Sequence, residues 1–201
     1  MRRVSIDDVE STSLGRGVDR RDLAGPLGAT DVAVNRYRLP PGERFSSGLH
    51  AHPDQEELFV VLSGEATFET WTPAEGDQTG HEDASPAGEA DEVVGRAGEA
   101  VRFAPGEYQS GANSGDDDLV ALAIGAPRDG ADVRVPLACP ACGHVDRRAT
   151  LVEGTPALVC PDCGDESEAV CGECGSSDLR ARIREGRPVS VCADCGAVSE
   201  G

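Results

Sequence analysis

Residues 31–125 alternate short apolar runs with polar turns. The runs are rich in β-branched and aromatic side chains, and tetrapeptides such as PPGE, LSGE and APGE separate them. Runs of this kind predict strands, and the Pro and Gly between them suit tight turns. No long stretch has a helical period, so the pattern predicts a β-sandwich or a closed β-barrel. The predicted strands cover residues 32–40, 57–71, 99–105 and 119–125.

Two segments of the N-terminal part depart from this pattern. Residues 1–30 predict a polar N-terminal arm with a short strand at 3–6. Residues 72–92 hold seven acids and no Arg, with Pro and Gly throughout, which predicts a solvated loop or the tip of an inserted hairpin. The barrel is therefore expected to span residues 31–127 and to carry this acidic loop.

The eight cysteines all lie in the last third of the chain, between Cys139 and Cys195. They form a repeat, because a gap-free shift of 32 residues superimposes the first four on the last four. Such self-similarity indicates a duplicated unit. We expect a linker at 128–138, one unit at 139–166 and a second at 169–198.

Each unit carries two C-x-x-C pairs separated by 17 residues, which is a spacing typical of a tetrahedral Zn(Cys)₄ site. A unit of about 30 residues is too small for a core of its own, so a structural zinc is expected to supply the folding energy. Disulfides are the alternative, and a cytoplasmic setting argues against them. The segment resembles two tandem zinc ribbons, with the ligands Cys139, Cys142, Cys160 and Cys163 in the first and Cys171, Cys174, Cys192 and Cys195 in the second.

The charge of the chain restricts its partners. Acids number 37 and basic residues 18, all of them Arg, so the net charge is −19. This composition is typical of a halophile's cytoplasmic protein, and an acidic protein from a GC-rich genome is the alternative. Phosphates would meet like charge, so nucleic acid is not an expected partner. No apolar run approaches the roughly 18–20 residues of a membrane span, and the start has no apolar stretch of signal-peptide type, so we expect a soluble cytoplasmic protein without a membrane partner.

A histidine pair in the first part carries the candidate chemistry. His50 and His52 are two residues apart, so on a strand they share one face, and Glu57 follows shortly before Gly64. The stretch 41–65 resembles the first motif of the cupin superfamily. That resemblance implies a mainly β, jelly-roll-like barrel in which the two histidines and the glutamate point inward and bind a divalent metal.

Residues 98–113 resemble the second cupin motif, with one departure. Gly98, Pro105, Gly106 and Asn113 follow the pattern, but Gln109 stands where the family has a metal-binding histidine. Three interpretations remain open. The barrel holds Fe, Mn, Ni or Zn, with Gln109 as a fourth ligand or beside the site; it is metal-free and binds an organic ligand; or it serves architecture or a homodimer.

Two functions follow from these features. The first is a metal-dependent barrel that binds a small ligand and acts as a sensor or accessory module, with the zinc ribbons contacting a protein partner. The alternative is an Fe- or Mn-dependent enzyme, an oxygenase or isomerase, acting on a small polar metabolite. The chain has no phosphate-binding loop, nucleophile elbow or dinucleotide-binding fingerprint.

Overall fold

The computed structural model describes residues 1–13, 17–74, 87–130 and 132–199. Strands dominate, with a short 3₁₀ turn at Ile6–Asp8 and one helical turn, α1, at Ala24–Leu27. Among these residues, no helix has the length and hydropathy needed to cross a bilayer. The strands of the first part are β1 (Thr12–Ser13), β2 (Asp19–Asp22), β3 (Ala33–Leu39), β4 (Glu56–Ser63), β5 (Glu65–Pro73), β6 (Gly88–Arg96), β7 (Ala100–Phe103), β8 (Tyr108–Asn113) and β9 (Leu119–Ala126). Those of the second part are β10 (Val133–Ala138), β11 (Val145–Val152), β12 (Thr155–Val159), β13 (Glu166–Glu168), β14 (Leu179–Arg184), β15 (Arg187–Cys192) and β16 (Val198–Ser199).

The first part is a barrel of two antiparallel sheets. One sheet has the order β1-β2-β3-β9-β4-β7 and the other the order β6-β5-β8. Residues 44–51 continue the second sheet beyond β8, through the bridges Arg44–Ala112 and His50–Gln109. The eight barrel strands, in chain order, are β3, residues 44–51, β4, β5, β6, β7, β8 and β9. The first, eighth, third and sixth of them form one sheet, and the second, seventh, fourth and fifth form the sheet that faces it, which is the jelly-roll order.

The barrel core is aromatic at its centre. Phe59 packs against Phe45 and Phe68 at ring distances of 5.0 and 4.8 Å, and Phe68 lies 5.3 Å from Phe103. All four phenylalanines of the chain therefore lie in one cluster, which Leu39, Val61 and Leu119 surround. Inward-facing positions of both sheets supply these side chains, and their burial is the main force that closes the barrel.

The expected N-terminal arm is instead part of the barrel. Residues 3–6 form no strand, whereas β2 pairs with β3 over Asp19–Asp22. The sequence pattern misses β2 because its side chains are polar on both faces and are satisfied by polar partners. Arg20 donates to Asn35 at 3.0 Å, and Asp19 accepts from Arg36 at 2.9 Å.

The expected acidic loop is shorter than residues 72–92. Strand β5 continues to Pro73 and β6 begins at Gly88, with Thr72 paired to Glu89. Cross-strand main-chain hydrogen bonds extend the hairpin there, and the acids on β6 remain largely exposed to solvent. The rest of the expected loop, residues 75–86, lies outside the described residues. The predicted strand 57–71 is divided into β4 and β5 by a turn at Gly64. Gly64 adopts a φ of +78°, which is a conformation that favours glycine.

The expected linker at 128–138 ends in a strand. Val133–Ala138 form β10, which pairs with β11 and is the first strand of the four-stranded sheet β10-β11-β12-β13. The first cysteine unit, ribbon 1, therefore begins before Cys139. In β10, the apolar residues Val133, Val135 and Leu137 occupy every second position. This period of two indicates a strand, and the assignment of a linker overlooked it. The second unit, ribbon 2, has the three-stranded sheet β14-β15-β16.

Both ribbons contact the barrel at residues 48–52. The Leu49 N–H donates to the Ala181 carbonyl at 2.9 Å, and Ala51 exchanges two hydrogen bonds with Arg134. Leu49 and Ala51 are buried in a small apolar cluster with Trp71, Tyr108 and Ala181, against which Val135, Val145 and Ile183 pack. Residues 48–52 therefore lie between β8 on one side and strands of both ribbons on the other.

Candidate metal centres

The barrel brings the two predicted histidines and the glutamate together. Each of His50, His52 and Glu57 offers a ligand atom within 4.8 Å of the others. The His52 Nε2 lies 3.8 Å from Glu57 Oε1, and the two imidazoles meet edge to face at 5.1 Å. The histidines alternate on the extended 48–52 segment and Glu57 lies near the start of β4, so two sheets contribute to the cluster.

Main-chain carbonyls fix the tautomer of both histidines. The His50 Nδ1 lies 2.9 Å from the Gly48 carbonyl and the His52 Nδ1 lies 3.1 Å from the Asp132 carbonyl. A carbonyl oxygen only accepts, so each Nδ1 carries the proton and each neutral ring keeps a lone pair on Nε2. Burial lowers the pKa of His50, and the Glu57 carboxylate opposes that shift. The neutral imidazole that this favours is the form that binds a metal.

Gln109 reaches the same cluster from β8. Its Nε2 donates to Glu57 Oε2 at 2.8 Å and lies 3.5 Å from the His50 Nε2. Its Oε1 is buried without a hydrogen-bond partner among the described residues. In this orientation the amide holds the carboxylate in place, and direct ligation would need a rotation that exchanges the amide oxygen and nitrogen. Ligation by Gln109 therefore stays a prediction.

The donor set fits a divalent metal. Two imidazoles and one carboxylate are the ligands of non-haem iron sites with open coordination positions, and manganese accepts the same set. The Gln109 amide, with its unpartnered oxygen, adds a further polar group at the same place. The residues present are therefore sufficient to hold such an ion with room for a further ligand.

A cavity of about 310 Å³ opens from these residues towards β2 and β3. Asn35, Tyr37 and Phe59 line it together with Arg20 and Arg128. Arg20 donates to Asn35 and its guanidinium carbon lies 6.0 Å from the Tyr37 ring centre. Within the described part of the chain, Arg20 forms no ion pair with a carboxylate. Sequence reasoning missed Arg20 because it lies in the segment expected to be an arm.

The eight cysteines form two clusters of four, as the repeat predicts, and all are free thiols. Sulfur pairs lie 3.7 and 3.6 Å apart in ribbon 1 and 3.6 Å apart in ribbon 2. A tetrahedron with zinc–sulfur bonds of about 2.3 Å has edges of about 3.8 Å, whereas a disulfide bond is about 2.05 Å long. The spacing therefore fits two Cys₄ zinc sites and excludes disulfides within the clusters.

The turns that carry the sulfurs are alike in all four C-x-x-C pairs. The glycine after the second cysteine of the first pair, Gly143, has a φ of +76° and donates to the Cys139 carbonyl at 2.8 Å. Main-chain N–H groups at these turns also point to sulfur, and that of Cys195 contributes most to lowering the pKa of Cys192 to about 6. The pKa of Cys160 is likewise lowered to about 7, whereas burial and the neighbouring sulfurs raise the pKa of Cys142 and Cys174 to about 12. One sulfur in each cluster is therefore favoured as the thiolate, which is the form that binds zinc.

Comparison with known proteins finds similarity in structure only. No protein-family model and no curated protein matches the chain. An uncharacterized protein with a double-stranded β-helix domain from Klebsiella pneumoniae is 22% identical, with a TM-score of 0.44 over 65% of this chain and 93% of that one. A sugar phosphate isomerase of the cupin superfamily from Silicibacter pomeroyi is 18% identical, with a TM-score of 0.48 over 83% of this chain and 92% of that one.

An oxalate decarboxylase from Lactobacillus farciminis is 17% identical, with a TM-score of 0.47 over 61% of this chain but only 32% of that one, so the match spans about a third of its length. The architecture itself follows from the strand order and the cysteine clusters. It confirms the predicted fold class, a cupin-type β-barrel followed by two small Cys₄ modules of the zinc-ribbon kind.

Proposed function

We propose that the barrel binds a divalent metal at His50, His52 and Glu57 and uses it to hold a small anionic ligand. The observation that carries the proposal is the convergence of three donors, two of them with lone pairs fixed on Nε2, at the end of a cavity of about 310 Å³. The ion is Fe or Mn by the preference of this donor set, with Ni and Zn compatible.

The anionic character of the ligand follows from Arg20. This residue lines the cavity without a carboxylate partner among the described residues, in a chain of net charge −19. An unpaired guanidinium in a concave site recognises carboxylate or phosphate groups through two parallel hydrogen bonds. Asn35 orients Arg20 through the bond at 3.0 Å and leaves its other N–H groups available to the ligand.

Each residue of the site has a distinct task. His50 and His52 present Nε2, and Gln109 holds one oxygen of Glu57 so that the other faces His52. Arg20 holds the negative group of the ligand. When bound, the metal supplies Lewis-acid polarisation of a ligand oxygen. Binding of a small ligand at such a site is the behaviour of a sensor or accessory module.

The test is a titration of the full chain, purified without chelator or nickel resin, with Mn²⁺. We expect one Mn²⁺ per chain in addition to two Zn²⁺, counted by elemental analysis and by the EPR signal of free Mn²⁺. Glu57→Gln should lose the Mn²⁺ and keep both Zn²⁺. The matched control is Glu56→Gln, because Glu56 points away from the cavity to pair with Arg102 at the surface. No Mn²⁺ binding by the unaltered chain would overturn the proposal.

An Fe- or Mn-dependent enzyme is the second candidate, and the open coordination positions within the cavity favour it. Three protein donors leave space for a substrate on the ion, as in oxygenases with this ligand set. Turnover of small carboxylic or phosphorylated metabolites by the Fe- or Mn-loaded chain would select this candidate over a binder. The halophilic and cytoplasmic setting, a homodimer through the barrel and a protein partner for the ribbons stay predictions.

A further inference from the structure

We propose that ribbon 1 positions the barrel metal site, with Arg134 as the positioning residue that joins them. The inference rests on the proposed function, since it requires a metal at His50, His52 and Glu57. It assigns to the zinc of ribbon 1 a task beyond folding its own module, which is to set the affinity of a metal in another domain.

The first link is through the main chain. Ala51 lies between the two histidines, and its N–H and carbonyl exchange hydrogen bonds of 2.9 Å each with Arg134 on β10. Two residues before Arg134, the Asp132 carbonyl accepts from the His52 Nδ1 at 3.1 Å. The group that fixes the tautomer and ring orientation of His52 thus belongs to the segment that enters ribbon 1. Such outer hydrogen bonds to a metal-binding histidine govern its basicity and direction.

The second link is a network of side chains. The Arg134 guanidinium donates to Asp132 Oδ2 at 2.8 and 3.1 Å and to Asp146 Oδ2 at 3.2 Å. Asp146 Oδ1 in turn accepts from the Tyr108 hydroxyl at 2.8 Å, and Tyr108 is the neighbour of Gln109. Arg134 is only 16% exposed. The network therefore reaches the site from two sides, at His52 through Asp132 and at Gln109 through Tyr108.

The position of Asp146 ties this network to the zinc site. Asp146 follows the cysteine turn of ribbon 1, in which the Cys139 N–H donates to the His144 carbonyl at 2.9 Å. Its φ of +139° is unusual for a residue other than glycine. A strained conformation of this kind persists only where the surroundings fix it, and here the turn, Arg134 and Tyr108 do so.

Zinc is what keeps these surroundings in place. Strand β10 connects the network to Cys139 and pairs with β11, the strand that carries Asp146. A module of this size folds with its zinc, so loss of zinc frees β10 and β11 and with them the Asp132 carbonyl and the Asp146 carboxylate. Because coupling between two binding events is reciprocal, metal in the barrel must also retain zinc in ribbon 1 by the same factor.

The experiment measures the Mn²⁺ dissociation constant of the full zinc-loaded chain by EPR, a probe specific for the barrel because thiolate sites prefer zinc. We expect Arg134→Met to raise that constant by about tenfold, the low end of the effect of losing an outer-shell partner, because Arg134 acts on His52 through Asp132. Arg184→Met is the control, since Arg184 is exposed at the end of β14 in ribbon 2 and forms no side-chain hydrogen bond or ion pair among the described residues. Zinc content of two per chain and an unchanged circular dichroism spectrum exclude a general loss of folding.

A second variant keeps the test decisive should Arg134→Met unfold. Asp146→Asn removes the charge that Arg134 meets but retains an acceptor for Tyr108, and we expect it to raise the Mn²⁺ constant by about 3–10-fold, below the full outer-shell effect. Its control is Asp178→Asn, at the same place in ribbon 2, where Asp178 pairs with Arg180 two residues further along the chain. Equal constants for Asp146→Asn and Asp178→Asn would contradict the proposal.

The reciprocal effect of barrel Mn²⁺ on zinc in ribbon 1 is a second measurement. A purely structural role of Arg134 would leave it unchanged. In the full chain carrying Cys192→Ser, ribbon 1 holds the remaining Cys₄ zinc, and its release to a zinc-selective chromophoric chelator is followed with and without saturating Mn²⁺. We expect Mn²⁺ to lower the equilibrium release of zinc, and to stop doing so once Arg134→Met is added. Mn²⁺ that binds the chain with no effect on zinc overturns the coupling and leaves the proposed function standing, whereas failure of Mn²⁺ to bind overturns both.

Discussion

The two ribbons carry the same residues at key places and use them differently. Asp146 and Arg148 of ribbon 1 recur 32 residues later as Asp178 and Arg180 of ribbon 2. In ribbon 2 the pair is closed locally at the start of β14, with Arg180 donating to Asp178 at 2.8 Å. In ribbon 1 the aspartate turns away to Arg134 and Tyr108 and adopts a φ of +139°.

The segments that precede the two ribbons differ in the same way. Strand β10 leads into ribbon 1 and pairs with the strand that follows its first cysteines. The equivalent segment before ribbon 2 includes β13, which pairs back with β12 of ribbon 1. Duplication thus copied the four-cysteine site, while the neighbour available to each copy decided how its surface is used.

The largest difference between the ribbons is expected when each loses its metal. Cys160→Ser should cost one zinc and unfold ribbon 1, since zinc contributes roughly 10–16 kcal/mol to a module of this kind. The barrel should stay folded on its own aromatic core, but its Mn²⁺ affinity should fall at least as far as in Arg134→Met. Elemental analysis of the full chain measures its zinc content, and Mn²⁺ titration measures the affinity of the barrel site.

Cys192→Ser is the matched variant in ribbon 2. It should also cost one zinc, but we expect a change in Mn²⁺ affinity of less than about threefold, well below the usual outer-shell effect. The reason is that ribbon 2 meets residues 48–52 through one main-chain hydrogen bond, from Leu49 to Ala181, and through apolar packing, whereas the hydrogen bond to the His52 ring comes from the segment that enters ribbon 1. Equal losses of Mn²⁺ affinity in the two variants would break the distinction between the ribbons.

A smaller difference concerns Arg147, which stands where ribbon 2 has Leu179. Arg147 is buried, with its side chain 3% exposed, and donates to the Leu158 carbonyl at 2.7 Å and to Ser167 at 2.8 Å. Arg147→Leu should make ribbon 1 resemble ribbon 2 at this place but destabilise it by about 1–3 kcal/mol for each buried group left without a partner. Hydrogen exchange of β11 and β12 amides measures the loss, and unchanged protection would contradict it.

The smallest expected difference lies between the repeated aspartates, Asp146 and Asp178, in what each contributes to the free energy of unfolding. Asp146→Ala removes a partner of the half-buried Arg134 and the partner of the Tyr108 hydroxyl, so we expect a loss of about 1–3 kcal/mol in the free energy of unfolding. Asp178→Ala removes an exposed ion pair worth less than about 1 kcal/mol. Urea unfolding of the two variants at equal salt gives the difference. A larger loss for Asp178→Ala would reverse the roles assigned to the two copies.

Much of the candidate chemistry could be predicted from the sequence because it depends on local spacing. The C-x-x-C turns place two sulfurs on one knuckle, and the period of two places His50 and His52 on one face, whatever the rest of the chain does. The relative position of two side chains this close in sequence depends on the few backbone bonds between them. The order and type of the elements around them followed from apolar runs for the same reason.

The segments that were assigned wrongly share one physical feature. Strand β2 and the end of β5 are held by main-chain pairing, and β2 also by the ion pair of Asp19 with Arg36. Hydrophobic period gives no signal there, because the stabilising partner lies elsewhere in the chain. Strand β10 did show the period, but its position before the first cysteine suggested a linker.

By itself, the sequence determined the two sets of four cysteines and the strand-rich first part, since each depends on residue types at short spacing. The resemblance to the cupin motif added the expectation that His50, His52 and Glu57 point inward. Only the tertiary structure decided that Arg20 lines the cavity, that Gln109 holds Glu57 and that Asp132 fixes the His52 ring. These contacts join residues 15 to 80 positions apart. Long-range pairs form because the closed barrel and the packed ribbon bring strand ends together, and no local pattern records that closure.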